Sequence, residues 1–109
     1  KGWLVHANHF VDSKLKFQDN GVAEWPDSIQ RQVRMEKLIR SVQGEFSPDF
    51  GGKFLKDHAH SPKSICRHLD QSLKPAKTVG SIISLPSEGA VLALAGNPCS
   101  ERRVRIEFE

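Results

Sequence analysis

The feature that most constrains the fold is the change of hydrophobic period at Thr78. From there onward the chain reads "TVGSIISL", "PSEG", "AVLALAG", "NPCSE" and "RRVRIEFE". The first and third stretches are apolar and of strand length, and the two between are turn-formers. In the last, Val104, Ile106 and Phe108 alternate with Arg103, Arg105 and Glu107. A period of two puts successive side chains on opposite faces, so this half predicts three consecutive antiparallel strands. Because "AVLALAG" is apolar at nearly every position, it is expected in the middle of the sheet, covered on both faces.

Upstream the period is helical. Met35, Leu38, Ile39 and Val42 recur at i, i+3, i+4 and i+7, and Arg31, Arg34, Lys37 and Arg40 are read as the opposite, wet face. This predicts an amphipathic helix from Ser28 to Val42, capped by Asp27 or Ser28 and stopped by Gly44. A shorter helix is expected from Ser47-Pro48-Asp49 to about Lys56, weakened by Gly51-Gly52. Trp3 to Phe10 reads as a mostly apolar strand, and Ser13 to Trp25, with its Asp19-Asn20-Gly21 turn signal, as a loop. The order strand, helix, helix, meander defines an α+β class: helices on one face of an antiparallel sheet, in one segment, 1–109.

Composition narrows the function. The 109 residues carry 16 Lys and Arg among 13 acids, for a net charge of +3. The charges are dispersed, which argues for a solvated surface over a phosphate-binding block. No run approaches the roughly 18 apolar residues of a membrane span, and the start lacks the layout of a signal peptide. The strand-like pattern begins at the second residue, which leads us to expect a fragment or one chain of a processed protein. Two cysteines do not make a disulfide framework, so a reducing, cytoplasmic setting is expected.

Three sets of residues carry chemistry. "DHAHSPKSICRH" offers His58, His60, Cys66 and His68 as zinc ligands, with Asp57 as a supporting carboxylate. Its spacing is unlike that of familiar structural zinc sites, so no metal is assigned, and the histidines are expected to bond loop backbone or lie exposed. Cys66 beside Arg67 and His68 raises the possibility of an activated thiol. Sequence adjacency does not supply the geometry, and Cys66 also reads as a small core residue; Cys99, in a Pro-Cys-Ser turn, reads as structural. Asn8 interrupts an apolar run with an uncharged donor of the kind that acyl transfer needs where a carbonyl oxygen turns negative. The plainer reading of the residues alone is an Asn that bonds the adjacent turn.

Taken in order, "VHANHF", "SIQRQVRMEKLI", "LKDHAHSPKSICRH" and "TVGSIISLPSEGAVLALAGNPCSE" resemble the C-terminal part of the acyl-coenzyme A:6-aminopenicillanic acid acyltransferase family. These are autoprocessed N-terminal-nucleophile hydrolases that include isopenicillin N acyltransferase. The resemblance implies an αββα sandwich in which a cysteine, exposed as a new N-terminus, attacks an amide or thioester carbonyl with its own α-amino group as base. It places Asn8 in the oxyanion hole, with His9 read as supporting the loop. No role is carried over to Arg67, whose cation could hold the cysteine environment, a substrate carboxylate or a salt bridge of the fold. Arg31 and Arg34 match helix positions and are read as structural.

The family's nucleophile lies upstream of the Asn-His-Phe element, so neither Cys66 nor Cys99 stands in for it, and this chain by itself is expected to be inactive. The partners implied are a small amide or acyl-thioester substrate and the remaining N-terminal part of the same protein, with no cofactor, nucleic acid or membrane. The competing reading is a small basic α+β module that binds nucleic acid or protein through the arginine face of the long helix.

Overall fold

Where apolar residues alternate, the backbone pairs as the period requires. The computed structural model describes residues 2–44, 46–100 and 102–109. It is a mixed helix and strand protein with the elements α1 (Gly21–Glu24), α2 (Asp27–Ser41), α3 (Pro48–Leu55), β1 (Gly80–Leu85), β2 (Ala90–Ala95) and β3 (Val104–Glu107). Contacts gather it into two compact units, Lys1–Gly44 and Glu45–Glu109.

In the second unit the strands form an antiparallel sheet in the order β1-β2-β3, with Ile83 opposite Leu92 and Val91 opposite Ile106. The "PSEG" turn becomes a short 3-10 helix over Pro86–Glu88. It closes on Gly89 at a φ of 59°, a left-handed conformation that glycine enters without steric cost. Ser47 caps α3 by accepting the Phe50 N–H at 3.3 Å, and Pro48 occupies the first helical position. The Gly51-Gly52 pair that weakens this helix on paper is what lets it settle. A Cβ on Gly51 would press to 3.2 Å from the Phe46 ring, with the Ile83 side chain in ordinary contact at 3.6 Å, and one on Gly52 would come within 2.9 Å of the Arg103 guanidinium, which donates to the Gly52 carbonyl.

α3 thus lies on the sheet face that carries Ile83, with Phe46, Phe50 and Phe54 in ring contact beside it. Among the described residues of this unit, Phe54, Cys66, Ala90 and Leu94 are the buried hydrophobic side chains, with Pro98 fully buried in the turn after β2. The opposite face is open. Ile82 is 67% exposed, Val104 63%, Ile106 47% and Phe108 66%. The expected burial of "AVLALAG" on both faces is therefore met only in part, because within this unit the layer lies on the α3 side.

In the first unit α2 matches the amphipathic prediction within a residue, with Met35, Leu38 and Ile39 half-buried. Two expectations change. Residues 3–10 form no strand and bend at Asn8-His9, with amides bonded to side chains instead of a ladder: Ala7 N–H to Gln32 Oε1 at 3.2 Å, Asn8 N–H to Ser28 Oγ at 2.7 Å and Phe10 N–H to Asp19 Oδ2 at 2.5 Å. The segment expected as a loop holds a 3-10 turn, Lys16–Gln18, and α1; Asp19 starts α1 by accepting the Val22 N–H at 3.2 Å.

No described helix is long and apolar enough to cross a membrane.

Candidate functional site

Asn8 sits where the extended N-terminal segment bends back along the start of α2, and each of its polar groups is handled separately. Its backbone N–H donates to Ser28 Oγ at 2.7 Å. Its side-chain Oδ1 accepts from Arg31 Nη2 at 2.9 Å, and Arg31 is held in turn by Asp27, Nε to Oδ2 at 3.0 Å. Guanidinium only donates, so the contact assigns the oxygen of the carboxamide to Arg31 and leaves the Nδ2 protons facing away from it. Asp27 and Ser28 are both buried.

Asp27 and Ser28, expected as helix caps, are used differently: α2 carries no side-chain cap on Pro26, and the two side chains hold Arg31 and the Asn8 backbone. Ser28 also meets His9 Nδ1 at 2.9 Å. The one hydroxyl thus ties the Asn8 backbone and the His9 ring together. His9 therefore supports the segment that presents Asn8, and its ring stacks on His6 with centroids 6.5 Å apart.

A groove of about 680 Å³ opens beside this segment, lined by His9, Phe10, Asp19, Val22 and Gln32 among others. Asn8 is exposed; it does not line the groove, though its chain neighbour His9 does. The carboxylate of Asp19 is held below its ordinary pKa, chiefly by the Phe10 N–H, then by those of Val22 and Gly21 and the nearby His9. It stays charged to low pH and anchors one wall.

Arg67 lies in the second unit and is buried in a bonding network. Its N–H donates to Thr78 Oγ1 at 2.9 Å, its Nε to the Ala76 carbonyl at 3.3 Å, and Nη2 lies 3.8 Å from Asp70 Oδ2. The salt bridge within the fold, one of the roles open to it, is the one its contacts display. Of the basic stripe on α2, Arg31 is spent on Asp27 and Asn8, and Arg40 lies over the Trp3 ring at 5.5 Å.

Of the four residues considered for zinc, the fold gathers His58, Cys66 and His68. His60, at a φ of 68°, is not among them, and Cys99 joins in its place. His68, two residues beyond Cys66, comes to the same side of the extended chain, with Nε2 3.7 Å from Cys66 Sγ. Asp57 instead accepts the Ala59 N–H at 3.1 Å. Desolvation, reinforced by the neighbouring Cys66 thiol, raises the Cys99 thiol above its ordinary pKa, which makes it a poor free nucleophile at neutral pH.

The chain matches no protein-family model and no curated protein.

Proposed function

We propose that this chain is the C-terminal portion of a cysteine N-terminal-nucleophile acyltransferase or amide hydrolase acting on a small N-acyl or β-alanyl-type amide, as its resemblance to the penicillin acyltransferase family implies. The observation that carries the reading is the anchoring of Asn8. Arg31 grips the amide oxygen from one side, so the N–H₂ end is an oriented, uncharged donor that need not reorganise when a carbonyl oxygen becomes negative. An asparagine serving only as a turn-former would not require a buried aspartate to steer the arginine that steers it.

In this reading the nucleophile is a cysteine upstream of Asn8, freed as an N-terminus by self-cleavage. Its α-amino group takes the thiol proton as sulfur attacks the carbonyl carbon, and the oxygen takes up the negative charge against Asn8 Nδ2–H. Collapse of the adduct breaks the C–N bond, the amine leaves with the proton, and a thioester remains on the enzyme. Water or a second amine then cleaves the thioester. His9 and Ser28 hold the backbone that presents Asn8.

The open apolar face of the sheet supports the same reading. Helix α3 covers one side, and Ile82, Val104, Ile106 and Phe108 are left for another layer. An αββα sandwich supplies that layer as a second sheet, contributed by the rest of the protein. The two free thiols accord with a reducing cytoplasm.

The test is Asn8→Ala in the full-length protein, assayed on a panel of N-acyl amides and acyl thioesters. Loss of one oxyanion donor lowers kcat by about 10²–10³ with KM little changed. Turnover within a few-fold of wild type removes Asn8 from the mechanism.

A further inference from the structure

Four metal-competent side chains outside the Asn8 constellation meet at one point. The stretch after α3 brings His58, Cys66 and His68, and the turn between β2 and β3 brings Cys99, with all four ligand atoms within 4.8 Å of one another. His68 Nε2 lies 3.1 Å from His58 Nε2, 3.5 Å from Cys99 Sγ and 3.7 Å from Cys66 Sγ. We propose that His58, Cys66, His68 and Cys99 form a tetrahedral zinc site that clasps the loop after α3 to the turn after β2.

Hydrogen bonding among the four does not explain this crowding. A ring nitrogen has one proton or one lone pair, and His68 Nε2 has three polar neighbours. A cation at the common centre serves all four atoms at once. With Zn–S near 2.3 Å and Zn–N near 2.0 Å, a tetrahedron sets N···N at about 3.3 Å and S···N at about 3.5 Å. The three separations from His68 Nε2 fall within a few tenths of an ångström of those values, and the remaining pairs lie within 4.8 Å.

The donor set also selects the ion. Two thiols and two imidazoles form a borderline-soft N₂S₂ set, which suits zinc and not the oxygen-seeking calcium or magnesium. On binding, each thiol gives up its proton to solvent and each imidazole binds neutral through Nε2, so two thiolate charges cancel the 2+ of the ion. That neutrality suits a site in which Cys66 is fully buried.

The surrounding backbone holds the ligands by bonds of its own. Cys66 N–H donates to the Asp57 carbonyl at 3.0 Å and His68 N–H to the Pro62 carbonyl at 3.0 Å. The Asn97 amide reaches both the Arg67 carbonyl, at 2.8 Å, and Cys66 Sγ, at 3.7 Å, an outer contact of the kind that orients a thiolate ligand. Four protein ligands leave no open position for water or substrate, so the site is structural and not hydrolytic. A unit whose buried apolar side chains are so few benefits from such a staple. The site is independent of the acyltransferase reading, and either can fail without the other.

The experiment is elemental analysis of the full-length protein, purified from zinc-supplemented medium and desalted, with wild type, Cys99→Ala, His58→Ala and His60→Ala compared. One zinc per chain is expected in wild type and His60→Ala. Cys99→Ala and His58→Ala should lose affinity at least about 100-fold, the upper range for mere outer-shell partners. Both ligand positions are exposed, so these variants spare the buried core. Cobalt(II) exchanged into wild type should show tetrahedral d–d bands and thiolate-to-cobalt charge transfer, and the latter should weaken in Cys99→Ala where cobalt is retained. A wild type without metal after zinc loading, full zinc in both ligand variants, or a Cys66–Cys99 disulfide as the resting state under reducing purification would each overturn the proposal.

Discussion

The two compact units solve the same problem, pairing their backbone polar groups, in different ways. From Glu45 to Glu109 the solution is regular: three strands exchange bonds along a meander and one capped helix lies on them. From Lys1 to Gly44, outside α2, the amides of residues 7, 8 and 10 are bonded to Gln32, Ser28 and Asp19 side chains. A ladder tolerates loss of any one side chain, because its bonds are backbone to backbone. The N-terminal segment depends on particular side chains, and that dependence is what allows it to present Asn8 in a defined pose.

The comparison can be strained first at its apolar end. Phe54→Ala removes a buried ring from the contact of α3 with its neighbours, and large-to-small changes of this kind cost about 3–5 kcal/mol. Urea unfolding should show that loss in the second unit. A loss under about 1 kcal/mol would mean that the ring is not part of a packed core.

Ser28→Ala probes the other unit. It removes the partner of both the Asn8 N–H and the His9 ring, at a cost of about 0.5–1.5 kcal/mol for each part-buried hydrogen bond lost. In the full-length protein it should also lower kcat, because the carboxamide loses its backing. Unchanged stability and unchanged kcat together would show that the irregular segment does not rest on its side-chain anchors.

The smallest effect is acid-dependent. The pKa of Asp19 is depressed by the N–H groups it accepts, so its contribution to stability is fully present above the unfolded carboxylate value of about 3.9 and is lost as pH falls through the lower folded value. Asp19→Asn should therefore flatten the acid limb of the stability curve below about pH 4 relative to wild type. An identical acid limb in both proteins would contradict the anchoring role of the carboxylate.

What the amino-acid sequence revealed follows the same division. The period-two pattern after Thr78 and the i, i+3, i+4 pattern of α2 are local signals, and both elements formed where the patterns placed them. Trp3 to Phe10 is apolar enough to read as a strand, but its partners are side chains 9 to 25 residues away, which no local pattern records.

The cluster in the second unit teaches the same lesson. His58, Cys66 and His68 stood out by proximity, and His60 was the natural fourth choice by proximity too. The actual fourth member, Cys99, arrives from the turn beyond β2, where the path of the meander and the Asn97 contacts with the Arg67 carbonyl and Cys66 Sγ set its place. A signal was available: the only other cysteine lies in a turn bounded by two confidently read strands.

The most direct test of the central claim, that this chain carries the oxyanion donor of a self-cleaved cysteine acyltransferase, is the intact mass and N-terminal sequence of the full-length protein after expression. The account predicts two chains, the second beginning with a cysteine upstream of the Asn8 segment and continuing through the residues described here. A single uncut chain that nevertheless turns over amide or thioester substrates would contradict it.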